Sequence, residues 1–293
     1  MNRFFRALPS LLKETAIEWK QDNAMRLAAA LAYYTAFSLA PLWIAILAMT
    51  GAFIGRDAAE GQLFEQLQSA VGPSAAQALE ELSASASKPA TSISAGILAT
   101  GLALFGASGV FGELKQSLNQ IWGLAEKTGN GIWLWIRGRF LSIGMVIGVA
   151  FLLLVSMMVN TILTLVAEED LASIPGHAVA MQALSQSLTL TIITVIFSAL
   201  FRYLPSTRIG WRDVWVGGVV TSVLFSFGKF GLEQYLARAA PGNSFGAASS
   251  LALILVWIYY SAQIFLFGAE FTEVYSRRLG TRSRCAAPRS KRD

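Results

Sequence analysis

The sequence predicts an all-α fold, a polytopic membrane protein with six transmembrane helices, an N-terminal amphipathic helix and a small extracytoplasmic helical cap. Three observations predict it. Apolar residues make up 54% of the chain and charged residues 14%, with a mean hydropathy of +0.52, a balance that a soluble chain of 293 residues rarely shows. Six apolar runs, at about 27–54, 92–112, 139–166, 179–204, 212–232 and 246–271, each reach the roughly 20 residues that cross about 30 Å of hydrocarbon as a helix, and none alternates as a barrel strand would. The connections between the runs alternate between basic and acidic.

Residues 1–26 lack the short apolar core and small-residue cleavage site of a signal peptide. Phe4, Leu8, Leu11, Leu12 and Trp19 fall on one helical face, with Arg3, Arg6, Lys13, Glu14 and Lys20 elsewhere. That pattern predicts a cytoplasmic amphipathic helix lying among lipid headgroups. On the first span Ala28, Ala32, Ala36 and Ala40 repeat every fourth residue, a spacing for close helix contact, and Pro41 removes a backbone hydrogen bond and should kink the helix. Tyr34, Ser38 and Pro41 share a face and form a candidate site of backbone exposure.

The extracytoplasmic cap, 57–91, reads as two short helices carrying Leu63, Leu67 and Val71, then Ala75, Ala78, Leu79 and Leu82, broken at Gly72-Pro73. Gly144-x-x-x-Gly148 marks helix packing on the third span and is compatible with an oligomer. The segment after Glu273, forming a basic tail over 274–293, is expected to be disordered, to meet anionic lipid headgroups and not to bind nucleic acid. Of the 23 Lys and Arg, all but Arg56, Lys88, Lys229 and Arg238 fall in the leading segment, the 2–3 and 4–5 connections and the tail, whereas the 1–2 and 3–4 connections are acidic. Both termini are therefore expected in the cytoplasm.

Polar residues inside the spans form three stripes. Ser187, Thr191, Thr194 and Ser198 line one face of the fourth span. Trp215, Gly218, Ser222, Ser226, Lys229 and Glu233 line one face of the fifth, and Ala248, Ala252, Tyr259, Gln263 and Glu270 one face of the sixth, interrupted by Leu266. Such stripes serve either as packing contacts between helices or as the lining of a polar path. Lys229 lies about 25 Å along the fifth span from Arg212, toward the outer face, where it can snorkel beside Glu233. Glu270 belongs to the opposite end, with Arg202 and Glu113 as its expected neighbours.

Four segments carry a resemblance to a known family: Asp22-Asn23-Ala24 followed by LAAALAYYTAFSLAPL (27–42), FGASGVFGELKQSLNQIW (105–122), RYLPSTRIGWRDVWVGG (202–218) and SFGAASSLALILVWIYYSAQIFLFGAEF (244–271). Over about residues 15–275 the chain resembles the YihY/virulence factor BrkB family. The resemblance implies a bacterial inner-membrane protein of six helices with a poorly defined biochemical role; members have been tied to serum resistance, and transport of solutes or lipid-like molecules has been proposed for some. Members have also carried the label ribonuclease BN, which the residues argue against. Metal-dependent nucleases need clustered carboxylates and usually histidines. This chain has one histidine, His177, in an expected outer loop, and a single cysteine, Cys285, so neither a thiolate metal site nor an internal disulfide can form.

No phosphate-binding loop or nucleophile elbow is present either; Ser108 in Gly106-Ala-Ser-Gly109 has no plausible base. No catalytic residue, cofactor or metal is expected. The function expected is transport or permeation of a small solute, ion or lipid-like amphiphile. Its path would be lined by Ser187, Thr191, Thr194, Ser198, Lys229, Gln263 and Glu270; a non-transporting envelope scaffold acting through the cap and tail is the alternative. The similar runs FGASGVF (105–111) and FGAASSL (245–251) hint at an inverted repeat.

Overall fold

The computed structural model describes residues 2–36, 38, 64, 68, 109–124, 177–239 and 247–282. Among these, six helical segments and no strands are present: α1 (Asn2–Gln21), α2 (24–36), α3 (109–121), α4 (His177–Tyr203), α5 (Trp211–Ala239) and α6 (Ala247–Arg278). Three of them contain stretches long and apolar enough to cross a membrane, Ala183–Tyr203, Trp211–Tyr235 and Ala252–Arg278. They correspond to the fourth, fifth and sixth predicted spans. The third span with Gly144 and Gly148, Pro41 and the rest of the first span beyond Ser38, Cys285 and nearly all of the second span and of the cap lie outside the described residues.

Local chemistry sets the helix ends. The leading segment is not one continuous helix, because α1 and α2 meet at Asn23, which adopts φ 55°, a left-handed conformation that asparagine tolerates better than most residues. Its amide donates back to Lys20 O at 3.2 Å, while its carbonyl accepts the amides of Arg26 and Leu27 at 2.8 and 3.2 Å, so one residue closes α1 and opens α2. Gly123, at φ 60°, closes α3 in a Schellman turn: its amide reaches Gln120 O at 2.9 Å and the Leu124 amide reaches Asn119 O at 2.9 Å.

The contacts divide the chain into two units, Met1–Trp19 with Leu118–Leu224 and Phe267–Asp293, and Lys20–Ser117 with Phe225–Leu266. Both α5 and α6 contribute to each. In the second unit Ala32 and Ala36 form a core with Ile254 and Ile258, so the alanine repeat of the first span is a packing face. Gly109 lies against Tyr34, Gly228 against Ile264 and Tyr260, and Phe225 meets Trp257 edge-on with ring centroids 6.3 Å apart.

In the first unit α5 and α6 run antiparallel in a register that advances by four residues on one helix as it falls by four on the other. Asp213 meets Ser276, Gly217 meets Thr272 and Thr221 meets Gly268. Each threonine donates its hydroxyl to the carbonyl four residues back, Thr221 to Gly217 O at 2.7 Å and Thr272 to Gly268 O at 2.6 Å, and rests on the glycine of the facing helix. A Cβ added at Gly217 would stand 2.8 Å from Thr272 Cβ, and one at Gly268 would stand 2.8 Å from Thr221 Cβ. Only glycine permits this approach.

One expectation about the chain ends is narrowed and one is corrected. The apolar face of α1 does not stand open to headgroups over its middle turns: Leu11 is fully buried against Phe271 and Val274 of α6, with Leu8 and Leu12 packed around them. The tail is ordered over its first nine residues, because α6 continues to Arg278 and the turn beyond it is hydrogen-bonded through Thr281 to Asp213. Residues 283–293 lie outside the described residues.

Candidate functional site

The polar groups of the first unit gather at the end of α5 and α6 where the α4–α5 connection, the last turn of α3 and the close of α6 meet. Asp213, in the first turn of α5, is buried; its Oδ2 accepts Ser276 Oγ at 2.7 Å, the Thr281 amide at 2.9 Å and Thr281 Oγ1 at 2.6 Å. An acidic side chain suits this first helical turn electrostatically. Gly280 must lack a side chain here, since a Cβ would stand 2.6 Å from Asp213 Oδ1. Asp213 thus ties the start of α5 to the segment that follows α6.

Beside it, Asn119 of α3 grips Ser206 with both ends of its amide, accepting the Ser206 N–H at 2.8 Å and donating to Ser206 Oγ at 3.2 Å. Arg282 closes the group. Its guanidinium lies 5.1 Å from the Trp122 ring centroid, donates to Thr207 Oγ1 at 3.5 Å and stands 3.9 Å from Glu273. Trp122 is buried. Two of the segments that resemble the family meet in this group, 105–122 through Asn119 and Trp122 and 202–218 through Ser206, Thr207 and Asp213.

A second cluster joins α1 to α6. Arg277 contacts Glu14 at 3.1 Å, Glu18 at 2.5 Å and Glu273 at 3.5 Å, and Arg278 pairs with Glu14. Three carboxylates and two arginines here sit over the Leu11, Phe271 and Val274 core. Among the described residues no group of three or more His, Cys, Asp or Glu is placed to hold a metal ion.

The expected path residues are distributed differently. Ser187 and Thr191 are exposed and donate to their own helix, to Ala183 O and Ser187 O, each at 2.7 Å. Thr194 and Ser198 are buried against α5: Thr194 Oγ1 lies 2.7 Å from Ser222 Oγ and donates to Leu190 O, and Ser198 donates to Val214 O at 3.2 Å. Gly218 makes the close approach possible, since a Cβ there would stand 2.9 Å from Thr194 O. The C-terminal half of the fourth-span stripe is therefore a helix contact.

Lys229 stands 3.9 Å from Glu233 one turn on, both partly exposed. Gln263 is half-buried, and Glu270 is fully buried. Arg202, expected near Glu270, lies over the Trp211 ring at 5.6 Å. Glu113, expected near Glu270 as well, lies just past the second predicted span, where burial raises its carboxyl above the ordinary range. Of the candidate kink residues, Ser38 is buried and donates to Thr35 O at 2.9 Å, and Tyr34 is exposed beside Gly109. His177 is the first residue of α4.

Sequence reasoning passed over Asp213, Asn119, Trp122 and Arg282. The signal that could have found the first was the matched spacing Asp213-x-x-x-Gly217-x-x-x-Thr221 and Gly268-x-x-x-Thr272-x-x-x-Ser276, which aligns two antiparallel helices in one register.

The profile of the family described as virulence factor BrkB matches residues 15–293. The chain belongs to that family. Its curated relatives are named UPF0761 membrane proteins. That of Psychromonas ingrahamii is 26% identical over 254 residues, covering 86% of this chain and 83% of the relative. Those of Saccharophagus degradans and Halorhodospira halophila are 26% and 25% identical, covering 89% and 87% of this chain. The chain spans 58% and 54% of the length of these two. No solved structure matches the chain. Family membership, the relatives and the three apolar helices together make this BrkB-family chain an integral membrane protein.

Proposed function

We propose that this BrkB-family protein is a transporter or permeation pathway for a small solute, ion or lipid-like amphiphile, set in the bacterial inner membrane by six crossings with both termini in the cytoplasm. Glu270 carries the reading. A carboxyl group with no exposure, on a helix otherwise apolar enough to cross a bilayer, is costly in hydrocarbon and is the kind of residue that marks a substrate or ion route. The asymmetry of Lys and Arg supports the orientation. The chemistry is read as non-enzymatic, since the single histidine opens α4 and the acids around Arg277 are held in ion pairs.

Reconstituted vesicles test this. Flux of a panel of small polyols, monovalent cations and anions, and a fluorescent phospholipid analogue is measured against empty vesicles, with Glu270→Gln, Glu270→Ala and Lys229→Ala beside the unaltered chain. The expected result is flux of one class that Glu270→Ala abolishes at equal incorporation. No flux above empty vesicles for any class, or full flux in Glu270→Ala and Lys229→Ala, overturns it. The engagement of Thr194 and Ser198 in helix packing favours one alternative, a non-transporting envelope scaffold. A scaffold would retain co-purifying envelope proteins and lose them when the cap is replaced, without any flux.

A further inference from the structure

We infer that the α4–α5 connection forms a binding site for the phosphate headgroup of an anionic membrane phospholipid, built from Arg202, Arg208 and Arg212 with Tyr203, Trp211 and Trp215. Position is the first support. The membrane-crossing stretch of α4 ends at Tyr203 and that of α5 begins at Trp211, so the connection lies where hydrocarbon gives way to headgroups.

Charge is the second support. Two arginine groups among the described residues of this unit are treated differently. Arg277, Arg278 and Arg282 are matched by Glu14, Glu18 and Glu273. Arg202, Arg208 and Arg212 pair with no carboxylate among the described residues. Asp213, adjacent in sequence, is buried and points its carboxylate at Ser276 and Thr281. Arg208 and Arg212 are exposed, leaving their guanidinium groups free for a phosphate, which they can hold through paired N–H donors.

The aromatic residues are the third support. Tyr203, Trp211 and Trp215 are all exposed, at 53, 47 and 43%, and the first two are held together: Tyr203 meets Trp211 edge-on at 6.0 Å, and the Arg202 guanidinium covers the Trp211 face at 5.6 Å. Trp215 stands one turn further along the same face of α5 as Trp211. Amphipathic rings at a span end favour the interface, with acyl chains against the apolar body. Meanwhile Leu204 and Ile209 are buried, which fixes the backbone that presents the arginines. The site is independent of any transport activity.

The test uses the full-length protein purified in detergent and supplied with mixed micelles of phosphatidylglycerol or phosphatidylcholine, or with inorganic phosphate at the same concentration. The expected result is thermal stabilisation and retained lipid, seen by native mass spectrometry, with phosphatidylglycerol only. The variant R202Q/R208Q/R212Q should bind at least tenfold more weakly, since each basic residue near an anionic surface contributes about fivefold in affinity. R6Q/K13Q/R26Q, which removes three exposed charges elsewhere, should bind like the unaltered chain. A photoactivatable phosphatidylglycerol should label the 202–215 segment of the unaltered protein, a readout that does not depend on any variant folding. Equal loss in both triple variants, equal stabilisation by phosphatidylcholine or free phosphate, or labelling confined to other segments would overturn the assignment.

Discussion

Replacing Gly217 with alanine places a methyl group where α5 and α6 touch most closely. The added carbon would stand 2.8 Å from Thr272 Cβ and nearer still to Thr272 Oγ1, whereas carbon atoms settle at about 3.5–4.0 Å, so the helices must part locally by about 1 Å. Thr272 cannot swing aside without giving up its bond to Gly268 O at 2.6 Å. Parting the helices there also stretches the Ser276–Asp213 bond, now 2.7 Å, one turn away. Overpacking of this kind costs about 1–3 kcal/mol, and a lost hydrogen bond adds about 0.5–1.5 kcal/mol. Alanine recovers about 1 kcal/mol in helix propensity. The expected net loss is about 1–3 kcal/mol, read as a lowered midpoint in thermal or denaturant unfolding of the detergent-solubilised protein. Gly231→Ala is the control, because nothing lies within 4 Å of a Cβ there, and it should be neutral or stabilised by up to about 1 kcal/mol. The double variant Gly217→Ala/Thr272→Gly moves the methyl across the contact and should be more stable than the sum of the single changes by about 0.5–3 kcal/mol. Additive single changes, or equal behaviour at Gly217 and Gly231, would refute the close-packed register.

Asp213→Ala should lower stability by about 1–3 kcal/mol by leaving buried Ser276 without its acceptor, and should speed tryptic cleavage after Arg278 and Arg282. Leu11→Ala should cost about 2–5 kcal/mol and expose α1 to protease, whereas Glu14→Gln with Glu18→Gln, acting on half-exposed pairs, should cost about 0–1 kcal/mol each and matter less in high salt. Thr194→Val, which cuts the α4–α5 contact, should destabilise by about 1–3 kcal/mol, while Thr191→Val should change the unfolding midpoint little.

The sequence made the last three apolar helices legible because hydrocarbon imposes a length and a composition that few other environments require. Predicted spans 179–204, 212–232 and 246–271 correspond to helices His177–Tyr203, Trp211–Ala239 and Ala247–Arg278. The extra length at the ends was not legible, since it depends on tertiary partners. Hydropathy falls at Glu273, yet the helix continues because Arg277 and Arg278 find Glu14 and Glu18 more than 250 residues away in the chain. The amphipathic pattern of α1 was plain, but a stripe of leucines fits a lipid surface and a protein groove equally well, and only the placement of Phe271 and Val274 decides between them. The helix break at Asn23 depends on one left-handed residue in a run that periodicity reads as continuous. Asp213 escaped notice for a similar reason: a lone acid at a span end looks like ordinary interfacial charge until its three donors are known.

The fate of the fourth-span hydroxyls shifts weight onto Glu270. A serine or threonine whose hydroxyl donates to the carbonyl four residues back has no unsatisfied donor, so Ser187 and Thr191 can face lipid without calling for water. Thr194 and Ser198 go further and tie α4 to α5 through Ser222 and Val214 O. Four aligned hydroxyls thus meet their hydrogen-bonding needs within one helix or with its neighbour, and a stripe of this kind demands no aqueous path. A carboxyl group must look beyond its own helix for donors, because that helix offers it no free amide in mid-span. Glu270 sits within the turn that carries Gly268 and Thr272, where α5 and α6 are held closest. At two residues from each, Glu270 lies on the face of α6 turned away from that contact, so Gly217→Ala is expected to lower stability without abolishing flux, whereas Glu270→Ala is expected to abolish flux with a smaller effect on the α5–α6 contact.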